Sequence, residues 1–259
     1  MLVLLASGCG FETTNEGELP DGPAGQIDPQ DPDPTIARKC AVGDAALRLC
    51  IDFEDATTLA FDASGNDHVT TVATALAVMP RDAEQAVSVT SQSRLVIGES
   101  PLLDITANLT TSLWFNPSGF DDDAWLLDNN AQYFISYDEG GFLRCGIANE
   151  SVRAAVPVWD SWHHVACAYD GQTLMLYLDG SVAGCKRLDR AVPTSGTVGL
   201  AIGSNVGASG QSLSFADVFA GGLDNVQVLA RTLSDGEACA AAGQTGCWSQ
   251  CPPIVLGGD

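Results

Sequence analysis

The feature that most limits how this chain can fold is the rhythm of its apolar residues from Cys40 onward. Short apolar runs alternate with Gly, Asp, Asn and Pro, which is typical of sandwich strands and not of helices. The absence of an internal repeat of about 20 to 50 residues argues against solenoids and propellers. The pattern predicts an all-β antiparallel fold with strands at Leu47–Phe53, Ala86–Val89, Arg94–Ile97, Leu109–Phe115, Ala124–Leu127, Tyr133–Tyr137, Leu143–Ile147, His164–Tyr169, Thr173–Leu178, Val198–Ile202 and Leu223–Leu229.

Turn and cap signals support several of these boundaries. An Asp-Gly pair between alternating apolar runs is a strong hairpin signal, and such pairs stand at Asp170-Gly171 and Asp179-Gly180. We therefore expect three consecutive antiparallel strands, the last of them from Ser181 onward. Near the end, Ser234 with Glu237 three residues later matches a capping box, which predicts a short helix over Ser234–Ala242.

The net charge excludes two classes of partner. The chain has 33 Asp and Glu against 11 Lys and Arg, for a formal charge of −22. Such a protein repels polyanions and offers no basic stripe for phosphates, so nucleic acid and anionic membrane surfaces are poor partners. Its carboxylates can hold hard cations such as calcium, although they serve equally well as a solvated surface.

The cysteines indicate an oxidising compartment. Nine cysteines without CxxC pairs of the zinc-binding type favour disulfides, which form at the cell surface, in the periplasm or in the medium. The apolar run from Met1 to Gly8, followed by Cys9, resembles a bacterial lipobox. The resemblance implies that residues 1–9 contain the end of a signal peptide and its lipobox. The chain would be cleaved before Cys9, and the sulfur of Cys9 would be acylated. A chance cysteine in an apolar N-terminus is the alternative.

The next segment differs from the rest of the chain. Residues 10–39 are acidic and rich in proline, which predicts an extended, self-repelling tether. A folded domain over residues 40–243 and a tail of residues 244–259 containing cysteine and proline follow. No segment approaches the roughly 18–20 apolar residues of a membrane span. We therefore expect an exported protein, either an outer-membrane or cell-surface lipoprotein, or a secreted one.

Three segments together resemble the laminin-G-like and concanavalin A-like lectin family. They are Asp62 to Asn66, the signature Trp162 to Gly180 with its Tyr-Asp-Gly and Leu-Tyr-x-Asp-Gly pieces, and Phe219 to Val226 followed by Leu233-Ser234 and Glu237. They occur in the family's order and cover roughly Cys40 to Ala242. The resemblance implies an antiparallel jelly-roll β-sandwich with a short C-terminal helix, a fold that hosts lectins, adhesion modules and some glycosidases.

The same resemblance implies a structural calcium. Carried over to this chain, it nominates Asp62 and Asp224 as ligands, with groups near Asn66 and His68 completing the shell. Oxygen ligands on an acidic loop suit calcium. Asp62 and Asn66 are also common turn residues, and Asp224 could instead accept hydrogen bonds from backbone amides.

A ligand site on loops is predicted from aromatic and acidic residues that stand together. The candidates are Trp125 with Asp121, Asp122 and Asp123, and Tyr137 with Asp138. Acids that hydrogen-bond beside rings that stack would suit a glycan, although a solvated loop explains the same residues. His163 and His164 are adjacent on a strand, point to opposite faces and cannot chelate one metal.

Without Cys9, eight cysteines remain and four disulfides become possible. Neighbouring strands make Cys145 or Cys185 a suitable partner for Cys167. The eight cysteines form a first pair at 40 and 50, a middle group at 145, 167 and 185, and a last group at 239, 247 and 251. The middle and last groups each contain an odd number of cysteines. Therefore at least one disulfide joins these two groups, or both groups form disulfides with the first pair. The cysteines are Cys40, Cys50, Cys145, Cys167, Cys185, Cys239, Cys247 and Cys251.

The motifs of catalysis are missing from the sequence. Glycosidases need two carboxylates at a fixed separation, and we find no Glu-x-Asp-x-x-Glu pattern, nucleophile elbow, zinc motif or phosphate loop. We therefore expect a non-catalytic module that binds a glycan or a glycosylated partner. The alternatives are a module for protein adhesion without sugar binding and a concanavalin-fold glycoside hydrolase.

Overall fold

The computed structural model of the protein describes a large part of the chain. It covers residues 40, 43–55, 57–119, 123–130, 132–138, 140–155, 158, 160–188, 190–194, 198–209 and 212–252. The predicted lipidation at Cys9, the predicted tether of residues 10–39 and the candidate ligand residues Asp121 and Asp122 lie outside the described residues. Residues 253–259 of the tail do so as well.

The described part is almost entirely β-structure and contains 17 strands and one helix. They are β1 (Leu47–Ile51), β2 (Thr70–Thr74), β3 (Ala77–Arg81), β4 (Glu84–Val89), β5 (Arg94–Ile97), β6 (Leu109–Pro117), β7 (Ala124–Asp128), β8 (Tyr133–Tyr137), β9 (Phe142–Ile147), β10 (Glu150–Ala155), β11 (His163–Tyr169), β12 (Thr173–Leu178), β13 (Ser181–Arg187), β14 (Leu200–Ile202), β15 (Asn205–Ser209), β16 (Ser212–Ala216), β17 (Gly221–Leu229) and α1 (Asp235–Ala241).

Two large antiparallel sheets form a jelly-roll sandwich. The eight-stranded sheet has the order β13-β12-β11-β6-β17-β4-β3, with β1 also paired to β17. The seven-stranded sheet has the order β10-β9-β8-β7-β14-β5-β2, and β15 and β16 form a separate hairpin. The predicted all-β antiparallel sandwich is therefore confirmed, and its non-consecutive neighbours explain why strand rhythm alone could not supply the topology.

The core lies between the two sheets because apolar residues alternate along the strands. In β6, Leu109, Leu113 and Phe115 are buried in the core, while Ser112 and Trp114 lie on the opposite face. The disulfide between Cys145 in β9 and Cys167 in β11 joins the two sheets across this core. The outer faces are therefore free to carry other chemistry.

The predicted hairpins and helix are confirmed. Asp170 and Asp179 occupy the turns on either side of β12, where carboxylate oxygens accept backbone hydrogen bonds from Thr173 and His164 respectively. Ser234 caps α1 through a complete capping box with Glu237. The predicted ends of the helix thus agree with those of α1 to within one residue.

Four disulfides are present, in agreement with the prediction from eight cysteines. Cys167 pairs with Cys145, which selects one of the two partners left open by the sequence. One bond crosses from the middle group to the last and fastens the tail to β13. The other pairs are Cys40–Cys50, Cys185–Cys251 and Cys239–Cys247.

The sequence pattern misses several strands at the edges of the sheets. β2 and β3 are mostly exposed, as are alternate residues of β10, so they carry no clear apolar alternation. The first predicted strand is also too long, because β1 ends at Ile51 and Phe53 adopts a φ of 54°. The β15–β16 hairpin packs Val206 and Phe215 on the outer face of the seven-stranded sheet.

Candidate ligand-binding site

Three adjacent strands bring polar and aromatic side chains together on the outer face of the eight-stranded sheet. Strand pairing places His164 of β11 and Asp224 of β17 on either side of Trp114 of β6. In the next pair of residues that face outward along these strands, Gln227 lies beside Ser112. Residues that pair directly across antiparallel strands share a face, so these five side chains form one surface.

A β-bulge in β17 adds another polar group to this surface. The register with β6 shifts between Asp224 and Gln227, so the chain inserts an extra residue at this point. Asn225 lies in the bulge with a φ of 48°, a left-handed conformation that asparagine tolerates well. Its side-chain Oδ1 is buried and has no hydrogen-bond partner.

His164 is the second group on this surface with an unused polar atom. Its side chain is 2% exposed, and its buried Nδ1 has no hydrogen-bond partner. Burial lowers the pKa of His164 to about 4, assisted by the charge of Arg81 and opposed by Asp179. The imidazole is therefore neutral at neutral pH. Its ring meets that of Trp114 edge to face at 5.3 Å between centroids.

A groove of about 330 Å³ opens beside α1 where these residues meet. An unpaired buried polar atom costs about 1–3 kcal/mol, which a ligand able to hydrogen-bond with it would recover. The two residues that carry such atoms, His164 and Asn225, line the groove next to an indole ring. Its lining includes Ser112, Trp114, His164, Asn225, Gln227, Arg231 and Glu237.

A buried ion pair borders the groove. Nε of Arg81 donates a hydrogen bond to Oδ2 of Asp224, whose side chain is 0% exposed. The Arg81 guanidinium also lies 4.6 Å from the centroid of the Trp114 ring, in a cation–π contact. Burial raises the pKa of Asp224 to about 7, although the guanidinium acts in the opposite direction. The pair therefore holds Trp114 in place from one side.

Two of the predicted calcium ligands, Asp62 and Asn66, are engaged in side-chain hydrogen bonds within the protein. Oδ1 of Asp62 accepts from the amides of Cys50 and Ser64, both at 3.0 Å. Its Oδ2 accepts from the Ser64 hydroxyl at 2.9 Å and from the His68 amide at 3.2 Å. Asn66 donates through Nδ2 to the carbonyl of Leu47 at 3.0 Å. The loop is thus closed by its own polar groups.

The side chains of Asp62, His68 and Asp224 do not meet as one set of donors. Asp224 is ion-paired with Arg81, and the imidazole nitrogen of His68 is a poor ligand for calcium, which prefers oxygen. Within the described ranges, the one set of three acidic, histidine or cysteine donors that lie within 4.8 Å of one another is Cys40, Cys50 and Asp52. Its cysteines are joined in a disulfide. Calcium binding stays a prediction.

The candidate loop residues lie in and beside two paired strands. Tyr137 is 4% exposed, belongs to the core and donates its hydroxyl hydrogen to the carbonyl of Gly119 at 3.1 Å. Trp125 lies on the opposite face of the sheet, with its ring 4.8 Å from that of Phe134. Asp123 is exposed just before β7. The structure therefore places the two candidate rings on opposite faces of the sheet.

Asp138 closes the turn after β8. Its Oδ1 accepts hydrogen bonds from the amides of Gly140 and Phe142 at 3.2 and 3.1 Å. Its Oδ2 lies 3.8 Å from the guanidinium of Arg153. These contacts give the residue a local structural role, and ligand binding at this end of β7 and β8 stays a prediction.

The sequence carries some signals of the groove residues, although none of them marks a binding site. Alternation along the predicted strand Leu109–Phe115 already places Ser112 and Trp114 on one face, opposite the apolar residues. The opposite orientation of His163 and His164 was predicted. The sequence could not show that β17 lies beside β6, because more than a hundred residues separate Trp114 from Asp224.

The fold and the groove together define a jelly-roll sandwich with a ligand-sized depression on one outer face. The chain belongs to the family described as the concanavalin A-like lectin/glucanases superfamily, whose laminin G-type model matches residues 84–239. This match covers more than half of the chain and includes β4 through most of α1. The search of curated proteins finds no match.

Several solved structures share the fold at low sequence identity. The binding domain of botulinum neurotoxin DC in complex with rat synaptotagmin II has a TM-score of 0.59 and 13% identity, covering 76% of this chain and 51% of that one. The binding domain of Paraclostridial Mosquitocidal Protein 1 has a TM-score of 0.59 and 14% identity, covering 76% and 52%. This chain therefore spans about half the length of the structures that it matches.

A further structure shares the fold at a similar level. The binding domain of botulinum neurotoxin DC in complex with SialylT has a TM-score of 0.59 and 11% identity, covering 77% of this chain and 51% of that one. At these identities the likeness establishes the fold alone.

Two further findings bear on where the protein acts. Four disulfides are typical of extracellular and other exported proteins. In the part of the chain that the structure describes, no helix has the length and apolar character to cross a membrane.

Proposed function

We propose that this protein is a non-catalytic binding module that recognises a neutral glycan, free or attached to a partner, in the groove beside α1. The observation that carries the proposal is a pair of buried, unpartnered polar atoms on two residues that line the groove. They are Nδ1 of His164 and Oδ1 of Asn225, and both residues line the same cavity as Trp114.

The chemistry of the groove suits a sugar. Sugar hydroxyls can donate hydrogen bonds to Oδ1 of Asn225, and they can either donate to or accept from Nδ1 of His164, according to the tautomer of its ring. They can also bond to the side chains of Ser112 and Gln227. The indole of Trp114 offers an apolar wall for the C–H groups of a pyranose ring. Small-ligand sites usually combine apolar walls with a few placed polar groups in this way. The net charge of −22 disfavours anionic glycans.

The carboxylates at the groove favour binding over catalysis. Oε1 of Glu237 lies 2.8 Å from the guanidinium of Arg231, and Oε2 accepts hydrogen bonds from Ser234. Asp224 is fully buried in its pair with Arg81. A glycosidase needs two carboxyl groups that reach the scissile bond. Here the carboxylates of Glu237 and Asp224 are already bonded to other groups of the protein.

The cellular setting in this proposal is the bacterial surface. A lipid on Cys9 and an acidic tether over residues 10–39 would hold the module away from the membrane, and the disulfides suit that compartment. The related botulinum neurotoxin DC domain forms complexes with synaptotagmin II and with SialylT. These complexes support a recognition role for this architecture.

The test begins with a glycan array probed with the full oxidised chain, followed by calorimetry with the best neutral glycan. We expect Trp114→Ala to weaken binding about tenfold or more, since loss of the apolar wall removes at least about 1.4 kcal/mol. Asn225→Gly should also weaken it, because glycine keeps the left-handed backbone and removes Oδ1. Trp125→Ala, on the outer face of the other sheet, is the matched control and should bind as the parent does.

The outcomes separate this proposal from its alternative. Glycan binding that all three variants retain would move the site away from the groove. A chain that binds no glycan but captures one surface protein in a manner insensitive to free sugars would identify a protein-adhesion module. Turnover of a polysaccharide would overturn the non-catalytic assignment.

A further inference from the structure

A second cavity lies at the open edge of the sandwich, away from the groove. Here β2 is the outermost strand of the seven-stranded sheet and β3 the outermost strand of the eight-stranded sheet. The segment that joins β1 to β2 and the turn from β2 into β3 enclose a space of about 620 Å³. Small-molecule sites occupy about 300–1,000 Å³, so this cavity is large enough for one.

The walls of the cavity combine polar and apolar residues, and the apolar ones include part of the main core. Ala60 belongs to the main core, and Leu59 and Leu76 pack against that core. Val69, which also lines the cavity, is 58% exposed. The space therefore runs from an apolar interior to a solvent-exposed apolar rim, an arrangement that suits a hydrophobic ligand body.

Some polar groups of the lining are hydrogen-bonded within the protein, and one buried nitrogen is not. Oγ1 of Thr70 donates to the carbonyl of Ala60 at 2.7 Å, and Asp62 accepts bonds at both of its oxygens. Nε2 of His68, by contrast, is buried and has no hydrogen-bond partner. The His68 amide is held by Asp62 at 3.2 Å, which fixes the backbone that carries the imidazole.

The unpaired nitrogen and the nearby charges define the ligand's polar group. A hydroxyl can both donate and accept, so it pairs with Nε2 of His68 in either tautomer of the neutral ring. The carboxylates of Asp62 and Asp67 line the same cavity and repel anions. A neutral hydroxyl group therefore fits better than a carboxylate.

We propose that this cavity binds a small neutral amphiphile, with an apolar body of fused-ring size in the cavity and a hydroxyl group on Nε2 of His68. The site differs from the glycan groove in its lining, since the two share no residue. It also does not depend on the glycan proposal. Its ligand is recognised mainly by apolar burial, with one hydrogen bond to set its orientation.

The experiment compares three probes by calorimetry on the full oxidised chain, with chelator present to exclude bound metals. We expect 2-naphthol to bind saturably at one site. We expect 2-methylnaphthalene, which lacks the hydroxyl, and 2-naphthoate, which is anionic, each to bind at least about tenfold more weakly than 2-naphthol. Equal binding of all three probes, or no binding of 2-naphthol, would overturn the proposal.

Two variants locate the site independently of each other. His68→Phe keeps a ring of similar size but removes Nε2, so it should abolish the preference for 2-naphthol over 2-methylnaphthalene. Ala73→Trp should fill the cavity from β2 and block both probes, because Ala73 lines it. Ala77→Trp on β3 introduces the same side chain at an exposed position outside the lining and should leave binding unchanged.

The variant results each have a single meaning. If His68→Phe does not fold, Ala73→Trp alone decides the location of the site, with thermal unfolding as the check that it is native. Binding of 2-naphthol that survives Ala73→Trp would overturn the proposal. Trp114→Ala should bind 2-naphthol as the parent does, so failure of the glycan groove cannot be confused with failure of this site.

Discussion

The outer faces of the two sheets share an arrangement of an aromatic ring, a glycine and an arginine, but they differ in the polar groups around it. On the seven-stranded sheet, the Phe134 ring lies over Gly146, and Arg144 is 5.8 Å from the centroid of that ring. On the eight-stranded sheet, the Trp162 ring lies over Gly222, and Arg81 is 5.8 Å from its centroid. Each face thus has an aromatic ring seated on a glycine beside an arginine.

The bulges on the two faces explain why they differ. β7 shifts register between Trp125 and Leu127, so its extra residue is Leu126, which is fully buried. The bulge of β17 instead holds Asn225, whose Oδ1 is buried and unpaired. A bulge can re-aim a side chain, but it creates a polar site only where the inserted residue is polar. The seven-stranded face also buries one unpaired hydroxyl, that of Ser136.

The largest expected effect separates the two arginines. Arg81→Leu removes the partner of fully buried Asp224, which should lower the free energy of unfolding by about 3–5 kcal/mol at pH 8. Arg144→Leu removes a cation–π contact and should cost about 1 kcal/mol or less. Urea unfolding of both variants with the disulfides intact measures the two losses.

The pH dependence of the Arg81→Leu loss sharpens this prediction. Burial raises the pKa of Asp224 to about 7, so its protonated form is favoured in the fold at lower pH. The stability that this raised pKa contributes is present at acidic pH and is lost as pH rises through about 7. Arg81→Leu should therefore cost clearly less at pH 5 than at pH 8. Equal losses would show that Asp224 keeps its charge at both values.

The two glycines under aromatic rings give the next largest effect. A Cβ at position 146 would lie 2.0 Å from a carbon of the Phe134 ring, and Phe134 is 4% exposed. Gly146→Ala should therefore destabilise the fold by about 1–3 kcal/mol through overpacking. At position 222 the Cβ would lie 2.6 Å from the half-buried Trp162 ring and 2.9 Å from the sulfur of Met79.

Gly222→Ala should cost less than Gly146→Ala because Trp162 and Met79 are partly exposed and can move outward. Thermal unfolding of the two variants side by side measures the order. The reverse order would mean that the eight-stranded face is the more rigid of the two, and that its ring–glycine contact is as tightly packed as a core.

The adjacent histidines test whether the groove is dry. Hydrogen bonding to Asp179 raises the pKa of His163, whereas burial lowers the pKa of His164 to about 4. An NMR titration should show one imidazole changing above pH 6.5 and the other remaining neutral down to about pH 4. Titration of His164 near 6.5 would mean that water solvates the imidazole. Its Nδ1 would then have a hydrogen-bond partner and would no longer support the groove as a binding site.

The smallest expected effect concerns the His163–Asp179 pair, whose ring nitrogen and carboxylate lie 2.8 Å apart. The raised pKa of His163 contributes stability that is lost as pH rises through it, and the lowered pKa of Asp179 contributes stability that is lost as pH falls through it. Asp179→Asn should therefore cost most between about pH 4 and 6.5. Because Asp179 is partly exposed, we expect about 1 kcal/mol or less; a pH-independent loss in urea unfolding would contradict the linkage.

Local signals predicted much of the fold. Asp170-Gly171, Asp179-Gly180 and the Ser234 capping box act over a few residues, so the turns and α1 could be placed from sequence. The exposed edge strands β2 and β3 could not, because strands with little buried surface lack an apolar period. The partner of Cys167 also stayed open, since the choice depends on which inward-facing cysteine crosses the core.

The site shows the same division more strongly. Asp62, Asn66 and Asp138 stand out in the sequence as acidic or amide residues on loops, yet in the structure they bond to nearby backbone groups. Such short-range contacts are the usual work of these residue types in turns. Trp114 and Asn225 stand out much less in sequence, and they gain meaning only through their strand neighbours.

The sequence by itself determined the all-β class, the hairpins, the capped helix, the acidic charge and the presence of disulfides, because each depends on composition or on neighbours along the chain. The tertiary structure decided that β11, β6 and β17 lie side by side, and that His164, Trp114 and Asn225 therefore share one groove. It also decided which polar atoms are left without partners. Both outcomes depend on pairings between distant segments, which hydrophobic burial and sheet register select only when the whole chain is folded.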